Sequence, residues 1–146
     1  MKRVLIFGAT GACGSDAVQS SLAKGWQVTA FARTPDKLEH SHPNLKVVQG
    51  DTLDPEAVDS VLAEKPDAVI CALGRGIHRD PCTKISSSTQ HILDAMQRHG
   101  VKRFVGITSL GVGDSKVGSI SGRLFQRFAL KESIADKERQ EAHVRE

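Results

Sequence analysis

The residues that first suggest chemistry are Gly8-Ala9-Thr10-Gly11-Ala12-Cys13-Gly14, a G-x-x-G-x-x-G lying between an apolar run and an amphipathic stretch. If the run is a strand and the stretch a helix, each glycine has its own task. Gly8 permits a tight turn. Gly11 puts no side chain between the backbone and a pyrophosphate. Gly14 lets helix and strand pack closely. The first amides of the helix have no intrahelical partner, and the helix dipole favours negative charge in front of them. The pattern predicts a dinucleotide-binding loop made of Gly8, Thr10, Gly11, Ala12, Cys13 and Gly14. The plainer alternative is a strand–helix turn whose glycines are incidental.

The choice of dinucleotide is made about 20 residues further on, where a carboxylate would hold a ribose 2′-hydroxyl. Here the chain reads Phe31-Ala32-Arg33-Thr34, and the first carboxylate is Asp36. The planar guanidinium of Arg33 suits a 2′-phosphate, with Lys37 adding charge one turn on, so NADP(H) is favoured over NAD(H). The alternative is a solvated loop arginine. Asp51, after Gly50, is placed to accept from an adenine amino group with Thr52 beside it, or else simply to make a turn. Ala72, Leu73 and Gly74 end a later strand, where backbone can approach the ribose and nicotinamide side. Thr108 ends another strand and joins the same cofactor-binding set. Arg75 and Arg79 follow in a loop and read as phosphate or substrate contacts, or as solvated charges.

Other reactive types are less committed. Cys13 would start the first helix, where the dipole lowers a thiol pKa; it reads as a redox-sensitive thiol or as a small packed residue. His40-x-His42 lacks further metal ligands and reads as loop. No metal site is expected. His91, His99 and His143 read as helix-surface residues.

These residues need a scaffold of alternating strands and helices. Strands are expected at 3–7, 27–32, 46–49, 68–73 and 103–108. Helices are expected at 12–24, for one or two turns from Pro35, from Asp54-Pro55 to before Pro66, at 83–99 and at 123–146. Asp54 reads as a cap with Pro55 at the first helical position, while Gly25 and Gly100 read as stops. Parallel crossovers of this kind give a doubly wound sheet of order 3-2-1-4-5 in one domain spanning 1–146. The last helix should be a crossover to a sixth strand, so the expectation is that a C-terminal, substrate-side part is missing. The fifth strand would then be an open edge, and self-association is a possible outcome.

Composition narrows the classes further. With 146 residues, 39% hydrophobic and 25% charged, the chain can build an ordinary globular core. A net charge of +3 gives no reason to expect nucleic acid. No apolar run approaches the roughly 20 residues of a membrane span, and three cysteines without C-x-x-C spacing fit a reducing, cytoplasmic setting. The chain contains no tyrosine.

Together, GATGACG, FARTPDKL, the Gly-Asp at 50–51, ALG at 72–74, HGVKRFVGITSLG at 99–111 and the terminal ADKERQEAHVRE resemble the atypical short-chain dehydrogenase/reductases. The nearest patterns are those of the NAD(P)H-binding, NmrA-like and biliverdin/flavin-reductase-like members. The resemblance runs along nearly the whole chain. It implies a Rossmann fold, a nicotinamide cofactor and a substrate cleft over the carboxyl ends of the strands. It also implies that Ser109 stands at the active-site serine, Lys137 at the active-site lysine and Glu141 at the acidic position one turn later. The family's tyrosine, four residues before the lysine, is here Ser133. A serine hydroxyl is too weak an acid to replace a phenol.

Two functions follow. One is an NADPH-dependent reductase of a flavin, quinone or similar conjugated acceptor, which needs no positioned phenol because charge is delocalised on the acceptor. The other is a non-catalytic NADP(H)-sensing protein that docks a partner. A sugar-nucleotide epimerase is a distant third, since it relies on the missing tyrosine.

Overall fold

The computed structural model describes residues 1–38, 40–74, 84–108 and 131–145. Five strands make one parallel sheet: β1 (Arg3–Phe7), β2 (Gln27–Ala32), β3 (Leu45–Gln49), β4 (Ala68–Cys71) and β5 (Phe104–Gly106). Their order is β3-β2-β1-β4-β5, as the sequence predicts. Register is continuous across the centre: Phe7 lies opposite Phe31 on one side and Cys71 on the other. Among the described residues four α-helices accompany them: α1 (Ala12–Ala23), α2 (Pro55–Leu62), α3 (Lys84–His99) and α4 (Lys131–Arg145). Pro35–Lys37 forms a single 3-10 turn rather than a longer helix.

The central strands β1, β2 and β4 are mostly apolar and buried, as covered faces require, whereas the edge strands β3 and β5 are largely exposed. Alternation along β1 divides the core in two. Leu5 and Phe7 face Val58, Val61 and Leu62 of α2 and Ile92, Ala95 and Met96 of α3. Val4 and Ile6 face the opposite way, with Val28, Ala30 and Val18 of α1. Each fully buried residue of this size contributes about 1.5–3 kcal/mol. The Phe7 and Phe31 rings meet edge to face at 5.2 Å, just below the carboxyl edge of the sheet. That edge, where β1 hands over to α1, is therefore anchored by the largest side chains of the core.

The chain divides into two compact units, 1–73 with 91–107, and 74–90 with 108–146. The first contains the sheet. In the second, the described helices are the start of α3 and α4. The buried residues on α4 are Asp136, Lys137 and Gln140, so this helix presents a polar face inward. Asp136, 0% exposed, accepts hydrogen bonds from the Ile85 amide (3.0 Å), the Ser86 amide (3.2 Å) and the Ser86 hydroxyl (2.6 Å). A carboxylate from a distant helix thus satisfies the orphan amides at the start of α3. Among the described residues no helix is long and apolar enough to cross a membrane.

Candidate functional site

The glycine loop leaves β1 at Gly8, whose φ of +76° is a left-handed backbone. A Cβ there would also stand 2.6 Å from the Ala72 carbonyl oxygen, beyond the end of β4. At Gly14 a Cβ would collide with the Gly8 carbonyl. The fold itself therefore requires glycine at 8 and at 14.

Gly11 differs. It is the N-cap of α1, with φ −82° and ψ 163°, a conformation open to any residue. Its missing Cβ would lie 3.4 Å from the nearest atom, an ordinary contact. Neither backbone nor packing demands glycine at this position. A helix commonly places Ser, Thr, Asp or Asn there to satisfy its first amides, but α1 has no side-chain cap. The Gly11 amide donates to the Gly8 carbonyl at 3.0 Å, which folds the loop back under the helix start. Thr10, Gly11, Ala12 and Cys13 are exposed around the uncapped amides. The residues present fit a diphosphate: a bare, positive helix end with space left over it.

Most of the remaining expected contacts lie in the first unit, beyond the carboxyl ends of β2, β3 and β4. Arg33 is exposed just beyond β2. Its carbonyl accepts from the Gln49 amide at 3.3 Å, and among the described residues its guanidinium has no partner. Arg3, by contrast, donates to the Glu64 and Lys65 carbonyls, and Arg98 to Asp59. Lys37 is exposed on the 3-10 turn. Asp51 is exposed beyond β3, and its Oδ1 accepts the Leu53 amide at 3.0 Å. The turn expected as an alternative is thus present, with Oδ2 outside it. Gly50 is glycine because a Cβ there would strike the Phe31 ring. Thr52, Ala72 and Leu73 are half-buried.

In the second unit Gly74 is exposed, and the Thr108 hydroxyl donates to Glu141 Oε1 at 2.7 Å. Lys137 is only 5% exposed, so it is a buried lysine rather than a solvated helix charge. Ser109, Arg75, Arg79 and Cys82 lie outside the described residues, as does the side chain of Ser133.

Four of the described histidines, His40, His42, His91 and His99, lie against named partners. His40 Nε2 lies 2.8 Å from Ser15 Oγ and 3.2 Å from Gln19 Nε2, and His42 Nδ1 accepts the Asn44 amide at 3.0 Å. Among the described residues no group of three could hold a metal ion. His91 and His99 are half-buried rather than on the helix surface: His91 reaches the Thr52 carbonyl, and His99 lies 3.1 Å from Asp59. Hydrogen bonding from Arg98, then from His99, holds the Asp59 carboxyl below its ordinary pKa. Asp136 carries no local signal in the sequence, and His91 reads there only as a helix-surface residue. Their partners lie 50 and 39 residues away, beyond any local spacing rule.

Comparison with known proteins agrees with this geometry. A family model described as NAD(P)H-binding matches residues 8–146. An uncharacterised chloroplastic protein of Arabidopsis thaliana is 32% identical over 126 residues, covering 82% of this chain and 45% of that protein. A Rossmann-fold NAD(P)-binding family protein from Shigella flexneri aligns with a TM-score of 0.64 at 28% identity, over 79% of this chain and 55% of that one. ChuY, an anaerobillin reductase from Escherichia coli, shares the fold with a TM-score of 0.74 at 21% identity, over 98% of this chain and 66% of that one. The chain spans less than half the length of the curated relatives it matches.

Proposed function

Because this chain belongs to the NAD(P)H-binding family, with the Rossmann fold its motifs implied, we propose that it is an NADPH-dependent reductase of a flavin, quinone or similar conjugated acceptor. The observation that carries the reading is Gly11: a helix start kept bare at a position where the fold would accept a side chain. In this proposal the amides of Ala12, Cys13 and Gly14 bind the diphosphate, with Thr10 at the rim. Arg33 takes the 2′-phosphate, assisted by Lys37. Asp51 and Thr52 take the adenine. Ala72, Leu73, Gly74 and Thr108 complete the cofactor set. Ser109 is the hydrogen-bonding group toward the acceptor, and Lys137 contacts the nicotinamide ribose.

Reduced nicotinamide, when bound, supplies the hydride; the protein binds and orients. The protein is asked for no strong acid, because a conjugated acceptor spreads the charge it receives and takes its proton from water. That division of labour suits a chain without tyrosine. The name of ChuY, a reductase, supports the same class. A reducing, cytoplasmic setting is part of the proposal, supported by three cysteines without C-x-x-C spacing.

The missing tyrosine also favours a second reading, a non-catalytic sensor of NADP(H). Mixing the protein with NADPH and FMN or a quinone, and following the nicotinamide absorbance, separates the two. Turnover above the buffer rate supports the reductase. Tight binding without turnover across acceptors supports the sensor. The NADP(H) preference is tested by R33D. It should weaken NADPH at least tenfold and NADH less than twofold; equal losses would remove Arg33 from the 2′-phosphate.

A further inference from the structure

The turn after β3 is held by a chain of hydrogen bonds passing through one peptide group. The carbonyl of Thr52 and the amide N–H of Leu53 are the two ends of a single planar unit. Leu53 N–H donates to Asp51 Oδ1 at 3.0 Å. At the other end His91 Nδ1, on α3, lies 3.1 Å from the Thr52 carbonyl oxygen. A carbonyl only accepts, so the proton is on Nδ1 and the imidazole is the donor. The chain runs His91 Nδ1–H to O=C, then N–H to the Asp51 carboxylate. Each bond polarises the next. Asp54 N–H, donating to the Asp51 carbonyl at 3.1 Å, closes the turn from below. His91 is half-buried, so it braces this peptide from within the fold while Asp51 stays exposed.

We infer that His91 is a positioning residue for recognition of the adenine base: it fixes the Thr52–Leu53 peptide, and through it the direction of the Asp51 carboxylate. The inference rests on the dinucleotide reading above and adds a residue to it. With Oδ1 held in the turn, Oδ2 is the oxygen that faces a ligand, and it accepts only from a donor. Adenine presents an amino group there. Hypoxanthine presents a carbonyl, which an ionised carboxylate repels. Leu53, left 39% exposed next to the carboxylate, offers an apolar surface to the face of the base. The site is therefore selective for a 6-amino purine, and the selectivity depends on a side chain that need not touch the ligand.

The test compares NADPH with its hypoxanthine analogue by calorimetric titration of the wild type, H91F, H91L and H91N, each shown to be folded by circular dichroism. Two apolar replacements are used so that at least one folded variant lacking the donor is read. The wild type should prefer NADPH about tenfold or more. In H91F or H91L the preference should fall to within about threefold, mainly through weaker NADPH binding. In H91N, whose side-chain amide can present N–H where Nδ1 was, it should be largely restored. General damage to the fold would weaken both ligands and leave their ratio intact. An unchanged ratio in a folded H91F or H91L overturns the inference, as does a wild type that binds both dinucleotides equally. The latter leaves dinucleotide binding standing. A wild type that binds neither removes the functional reading first, and this inference with it.

Discussion

Helices α1 and α2 begin in the same unit with the same physical deficit, and they meet it in opposite ways. Each start leaves amides without intrahelical partners. At α2 the chain supplies its own acceptor: Asp54 Oδ1 takes the Glu56 amide at 3.0 Å and the Ala57 amide at 3.3 Å, with Pro55 at the first position. At α1 the equivalent place is Gly11, and no side chain caps the helix. The difference separates a helix start closed by its own side chain from one left open, as the proposed diphosphate site requires. A third solution, Asp136 over the start of α3, shows that the fold can bring a carboxylate to a helix end from far along the chain. Among the described residues it does not do so at α1.

The comparison breaks most violently at Gly14. A methyl group there would overlap the Gly8 carbonyl. G14A should cost about 3 kcal/mol of stability, at the upper end of ordinary overpacking, visible as a lowered urea midpoint. An unchanged midpoint would mean that the loop and α1 are not packed as described.

The comparison is sharpened by giving α1 the cap that α2 already has. G11D places a carboxylate over the open amides. Exchanging Gly for a capping residue changes stability by only a few tenths of a kcal/mol. NADPH binding should nevertheless fall about 100-fold, because the new charge occupies and repels the place of the diphosphate. Thermal melts and fluorescence titration read the two effects separately. Parallel loss of both would make Gly11 a structural glycine like Gly14.

The converse change, D54A, should cost about 1 kcal/mol through loss of the α2 cap and leave NADPH affinity unchanged. Chemical denaturation with titration of the folded protein checks both halves.

The smallest expected effect lies midway along α2, where Asp59 meets Arg98 and His99. Its folded pKa is lowered, so its contribution is complete above the unfolded value, near pH 4, and is lost as pH falls through the folded value. D59N should flatten the pH dependence of the urea midpoint below about pH 4 and leave it unchanged near neutrality. The pair is exposed, so the flattening should be slight.

What could be read from the sequence was what is local. Strand order followed from apolar runs separated by helical stretches, and Asp54-Pro55 announced α2 because cap and helix are neighbours in the chain. The three glycines and the separate task of each are legible in the motif and its strand–helix context; the steric grounds are not. Only geometry shows that a Cβ would collide at Gly8 and Gly14 but not at Gly11. The strand ends were overrun: β4 stops at Cys71 and β5 at Gly106, where ladder pairing gives out although the apolar run continues. Burial of Lys137 and Asp136 was illegible because α4 reads as a solvated, charged helix, and nothing in its spacing announces an inward polar face.

The central claim, that the bare start of α1 holds a dinucleotide diphosphate, is tested most directly by isothermal calorimetry of the folded wild-type protein with NADPH. Saturable 1:1 binding at micromolar or lower concentration, competed by 2′,5′-ADP, is the predicted result. No heat and no competition with either reduced or oxidised dinucleotides would contradict it.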